Sequence, residues 1–186
     1  MLNVENPDRY TRSVRFLGPR SPEEHEEHLV LYARGPDDLD AALAGLSREE
    51  LDQARPGGLW TIRQIVEHIV DDDAHWTMCM QVALVRPRYT YGHESFSSPR
   101  TRPWAEPGAG MDDGIASLVS LLRANRTHMR AALYHLPGAW TRYVWVARGA
   151  EQEAQPLTVG HMIWRQATHA LDHIDEIRQA RRMHRG

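Results

Sequence analysis

The sequence predicts an all-α fold, a four-helix bundle with a long crossover loop. Four stretches repeat their apolar residues at helical spacing. Three Ser/Thr-x-x-Glu/Gln capping boxes mark helix starts. Two sizeable connections join the stretches, as in bundles whose helices are linked by crossovers. No internal repeat, heptad run or low-complexity tract suggests anything else.

Residues 1–20 show little periodicity and read as an N-terminal arm lying on a single domain of residues 21–186. Ser21 can cap the first helix, with Pro22 at its first position and Glu24 completing the box. That helix is expected to bend at Gly35-Pro36 and to run to about Leu46, burying Leu31, Leu39, Leu43 and Leu46. His25 and His28 sit in EEHEEH and read as a solvated acidic face. Ser47 and Glu50 open a short helical turn that stops before Pro56-Gly57-Gly58. Thr61 and Gln64 open the second long helix, with Leu59 and Ile65 as a staple at its entry. Its inner side carries Ile62, Ile65, Ile69, Trp76, Met80 and Ala83.

Residues 86–111, rich in Pro, Gly and Ser, are long enough to cross the bundle from end to end. His93 and Trp104 lie there, in a covering loop or a lid. The third long helix spans about 112–135, with Ile115, Leu118, Val119, Leu122, Met129 and Leu133 inward and Asn125 interrupting them. Short alternation in AWTRYVWVARGAEQEAQPL suggests a small hairpin or an extended connection. Thr158 then caps the last helix, where Val159, Met162, Ile163, Gln166, Ala170, Ile174 and Ile177 draw one stripe.

At 186 residues the chain can bury a real core without staples. Its 41% hydrophobic and 25% charged residues are ordinary for a globular domain, and a net charge of -3 offers no field for nucleic acid. Cys79 is the single cysteine, which excludes an internal disulfide or a Cys-rich zinc finger. It reads as a buried, inert thiol. The first residues lack the apolar core of a signal peptide, and no stretch has the length of a membrane span, so a cytoplasmic protein is expected.

Histidine stands out, with 11 residues. His169 and His173 are four apart, on or beside the stripe of the last helix, so one ion can reach both. Spacing alone is weak, since random placement of this many histidines gives about 0.6 such pairs. Their place on an inward face carries more, because buried imidazoles must find partners. His68 lies at the edge of the inner face of the second long helix, with Asp72 and His75 along the same line. A hydrogen-bonded core histidine is the ordinary account of His68 alone; with His169 and His173 the reading becomes a three-His metal site with an open position. Zinc or nickel suits such donors best, and iron or manganese also accepts them. Asp72, Asp172 and Glu176 are within reach to fix the imidazole tautomers. Arg165, one turn before His169, and Asn125 are candidates for holding an anionic substrate group, although a surface salt bridge explains Arg165 equally well. HExxH, GxSxG, Walker and GxGxxG motifs are absent.

WTIRQIVEHIVDDDAHW, followed far downstream by LTVGHMIWRQATHALDHIDEI, resembles the DinB/YfiT-like superfamily of metalloenzymes. Trp60-Thr61, His68, His169 and His173 match its pattern, over roughly residues 30–180. Glu176-Ile177 stands where the family commonly has Gln-Ile, so one position beside the site is altered. The resemblance implies a bundle holding a divalent metal on His68, His169 and His173. It also implies thiol chemistry of the kind known among relatives: S-transfer with bacillithiol or a similar low-molecular-weight thiol, or mycothiol-dependent isomerisation of maleylpyruvate. A metal-dependent hydrolase is the alternative, and a non-catalytic bundle with structural histidines, binding a small molecule or partner, is the third. A small-molecule substrate and a homodimer are expected, with neither nucleic acid nor membrane as partner.

Overall fold

The computed structural model of the chain describes residues 22–86, 90–93, 114–148 and 154–184. The expected arm at 1–20, the Ser21 cap, Trp104 and most of the crossover lie outside them. Among the described residues five α-helices form: α1 (Pro22–Leu43), α2 (Arg48–Asp52), α3 (Ile62–Val85), α4 (Gly114–His135) and α5 (Val159–His184). The four long ones make the expected bundle. α5 packs on α1 and α3, and α4 packs on the same two, so α1 faces α3 across a diagonal and α4 faces α5.

Local chemistry sets the ends. Ser47 Oγ accepts the Glu50 N–H at 3.2 Å while Glu50 Oε2 accepts the Ser47 N–H at 2.7 Å. Thr61 and Gln64 make the same reciprocal pair at 3.2 and 3.0 Å, and Thr158 Oγ1 accepts the His161 N–H at 3.1 Å. Each such cap contributes about 1 kcal/mol. α1 stops at Leu43 rather than Leu46, because Gly45 takes a left-handed φ of 72° and turns the chain. The Leu59 staple does not form. Leu59 is 50% exposed, and Trp60 turns inward in its place.

The alternating segment folds as a hairpin of β2 (Tyr143–Arg148) and β3 (Gln155–Thr158), with Tyr143 opposite Thr158. The sequence did not announce its third strand. β1 (Thr90–His93), from the crossover, pairs parallel with β2, Thr90 beside Trp145 and His93 beside Arg148. Parallel pairing needs a long crossover between strands, and α4 supplies it. Val144, Val146 and Leu157 turn into the core.

The core has two apolar clusters with a polar level between them. One, below the sheet, holds Leu29, Tyr32, Trp76, Met80, Met129 and Ile163. The other holds Leu39, Ile62, Ile65, Leu122, Ile174 and Ile177. Between these levels each long helix carries an irregularity: Gly35-Pro36 in α1, Asp72-Asp73 in α3, Arg126 in α4, Gln166 and His169 in α5. Pro36 has no N–H to give to the Tyr32 carbonyl one turn back. Arg126 Nη1 donates to that carbonyl instead, at 2.8 Å. Its Nε bonds Asp73 Oδ1 at 2.8 Å, its Nη2 bonds the Gln166 carbonyl at 3.2 Å, and its guanidinium lies 4.5 Å over the Tyr32 ring. One buried side chain thus ties α4 to the other three long helices. Gly35 makes room for it, since a Cβ there would stand 2.2 Å from Arg126 Nη1.

Candidate metal centre

α3 starts at the Thr61 cap, so His68 arrives two turns in, on the side facing α5. His169 and His173 occupy successive turns of α5. The fold brings these three together: all are buried, and one ring nitrogen from each lies within 4.8 Å of the others. His68 Nε2 stands 3.0 Å from His169 Nε2. Ligands in neighbouring positions around one ion at about 2.0–2.1 Å lie about 3.0–3.4 Å apart, so this pair is already at the separation a shared ion requires.

The other ring nitrogens meet acids. His173 Nδ1 is 3.1 Å from Glu176 Oε2, which turns its Nε2 towards the centre. His169 Nδ1 is 3.2 Å from Asp72 Oδ2, as an ion-pair contact rather than a well-aligned hydrogen bond. A carboxylate at Nδ1 keeps the proton on that nitrogen and leaves the Nε2 lone pair free to bind. The acids are themselves held. Asp72 accepts from Trp76 Nε1 at 3.2 Å and Gln166 Nε2 at 3.1 Å. Glu176 Oε1 accepts from Arg55 Nη1 at 2.8 Å, and the same nitrogen donates to the Trp60 carbonyl at 2.9 Å. The Trp60 ring closes one flank, 4.8 Å from the His68 ring and 6.1 Å from the His173 ring.

Electrostatics match a neutral His169 imidazole with charged acids around it. Burial drives the His169 pKa well below its ordinary value; Asp72 opposes this, while His173 and His68 add to it. Burial pushes the Asp72 carboxyl up, but His169, Arg165 and the Gln166 hydrogen bond outweigh it and the net shift is downward. At Glu176 burial again pushes up, and the hydrogen bonds from His173 and Arg55 bring the carboxyl down to about 2. A neutral imidazole with an ionised acid behind it is the form that binds a divalent ion, so the residues present fit one.

The remaining candidates separate. His75 is half-buried, its Nε2 3.9 Å from Cys79 Sγ and its ring edge-on to Trp76, outside the three-His cluster. Burial raises the Cys79 thiol to about 12, in keeping with an inert residue. Asn125 is half-buried on α4, its amide near enough to Asp73 of α3 to act on that carboxyl. Asp172 is exposed, and among the described residues it is paired with no imidazole. Arg165 is half-buried, close enough for its charge to act on Asp72 and His169. His25, expected on a solvated face, is half-buried and stacks on Trp140 at 4.2 Å. Two surface hollows of about 270 Å³ run along α1, and neither is lined by the three histidines.

Arg55, Gln166 and Trp76 were not singled out from the sequence as parts of the site. Arg55 acts across 121 residues, and its signal is only a cation ahead of a Pro-Gly-Gly turn. Gln166 was visible, as a polar residue in the apolar stripe of α5.

The sequence profile of the DinB superfamily matches residues 31–177. The chain belongs to the DinB superfamily. Every residue of the three-His cluster lies in the matched DinB segment. No curated protein matches the chain by sequence. Among solved structures, YfiT from Bacillus subtilis, described as a probable metal-dependent hydrolase with an unusual four-helix bundle topology, is similar in fold. The two superpose with a TM-score of 0.68 at 21% identity, over 90% of this chain and 91% of that one. Among the described residues of this DinB protein, no helix is long and apolar enough to cross a membrane.

Proposed function

We propose that the chain is a metal-dependent hydrolase that holds a divalent ion on His68, His169 and His173, with zinc or nickel ahead of iron or manganese. The observation that carries the reading is the convergence of three buried imidazoles from two helices, two of them backed by carboxylates. A divalent ion held there would polarise a carbonyl oxygen and lower the pKa of a water in its open position. The chain's own part is preorganisation. Asp72 and Glu176 keep protons on the Nδ1 atoms of His169 and His173, Gln166 and Trp76 hold Asp72, and Arg55 holds Glu176. Trp60 shields the His68 and His173 rings from bulk water on one flank.

The likeness to YfiT favours hydrolysis over the thiol-dependent S-transfer or isomerisation that the family resemblance suggested. The test uses untagged protein loaded with zinc or nickel, given amide and ester substrates with and without a low-molecular-weight thiol. Hydrolysis that needs the metal and not the thiol is the expected result. Turnover only when thiol is added would replace hydrolase by transferase or isomerase. A chain that takes up no metal would leave a structural, non-catalytic bundle.

A further inference from the structure

We infer that Arg165 is a specificity-determining residue that binds an anionic group of the substrate, a carboxylate or its equivalent, while the substrate's reacting end lies at the three histidines. The inference rests on the metal-centre reading and adds a substrate class to it. Arg165, His169 and His173 follow one another at four-residue spacing on α5, so the guanidinium and the two imidazoles share one side of the helix. Trp60 flanks the His173 end of this row, and Arg165 stands at the His169 end.

Among the described residues Arg165 lacks the carboxylate partners that engage Arg126 and Arg55. Its Nε is shielded from water and finds no hydrogen-bond acceptor among the described residues. Arg126 and Arg55, by contrast, are both paired with carboxylates. The acid near Arg165 is already engaged, with Trp76 on one oxygen of Asp72 and Gln166 and His169 on the other. A shielded guanidinium N–H without an acceptor is costly, and a ligand oxyanion supplies the acceptor.

Charge points the same way. With a divalent ion on the histidines, the carboxylates Asp72 and Glu176 balance the ion and the guanidinium groups of Arg55 and Arg165 remain, so the site favours an anion. Four residues of helix place Arg165 about 6 Å along the axis from His169. That separation suits an anionic group a few bonds away from the group that reacts.

The test titrates zinc-loaded protein calorimetrically with the dicarboxylates from malonate to adipate, each beside its monomethyl ester. Both members of a pair offer one carboxylate to the metal, and only the diacid offers a second to Arg165. The best diacid is expected to bind about tenfold more tightly than its ester, an advantage that falls towards unity in Arg165→Gln and partly survives in Arg165→Lys. Equal binding of diacid and ester at every length, or an advantage undiminished in Arg165→Gln, would overturn the inference. Metal content of the same samples separates the two claims. Wild-type protein that takes up no zinc refutes the metal centre and this inference with it. Arg165→Gln that loses its zinc makes Arg165 a support of the centre rather than a substrate residue.

Discussion

Replacing Gly35 by alanine should destabilise the protein, against the trend of helix propensity. Alanine in a helix interior is favoured over glycine by about 1 kcal/mol. Here the new Cβ would stand 2.2 Å from Arg126 Nη1, which must withdraw by about 0.8 Å merely to reach 3.0 Å. The withdrawal breaks the bond from Nη1 to the Tyr32 carbonyl. A hydrogen bond from a charged donor contributes about 1.5–3 kcal/mol, and the stranded buried carbonyl costs about 1–3 kcal/mol more if nothing replaces the donor. Because Pro36 cannot donate to it, no helical N–H is there to do so. After the propensity gain the net loss is about 1.5–5 kcal/mol, a drop in melting temperature of at least about 3 °C for a chain of this size. Thermal unfolding by circular dichroism of the two proteins in one buffer measures it. A Gly35→Ala variant as stable as the parent, or more so, would refute the claim that Arg126 is locked by its four-helix contacts.

Three further outcomes follow, two from the centre and one from Cys79. Arg55→Ala removes the cation behind Glu176 and should weaken metal binding about 10–100-fold, read by competition with a chromophoric chelator; unchanged affinity would show that Arg55 only anchors the Trp60 loop. Glu176 is depressed from 4.5 to about 2, so its ionised form stabilises the fold above the unfolded value and that contribution is lost as pH falls through about 4.5 to 2. Metal-free Glu176→Gln should therefore be less stable than the parent at pH 7, with the gap in denaturant midpoint closing towards pH 2; a gap independent of pH would contradict the assignment. The Cys79 thiol, buried and raised to about 12, should stay unmodified by iodoacetamide in native protein at pH 7.5 and react on unfolding, as mass spectrometry would show.

The bundle was legible because its signals are local. The Ser47 and Thr61 boxes and the stripes of α3 and α5 each lie within one segment, and the structure has them where the spacing puts them. The strand β1 was not, because four residues acquire strand character only by pairing with β2, more than fifty positions on. The site divides along the same line. His169 and His173 announce themselves by four-residue spacing, and His68 by its place on an apolar face. Asp72 could be picked out because it shares that line. Arg55 could not, since its partner Glu176 is distant in sequence and a single cation before a turn is commonplace. Arg126 was hidden for a related reason. Gly35-Pro36 looked like a bend in α1, whereas Gly35 clears space for a guanidinium and Pro36 leaves a carbonyl for it.

The most direct test of the central claim is elemental analysis of untagged protein beside a His169→Ala/His173→Ala variant. The geometry predicts about one divalent ion per chain in the parent and none in the variant, with both proteins folded. No metal in either, and none taken up on dialysis against zinc, nickel or manganese, would contradict it and return the three histidines to a hydrogen-bonded core.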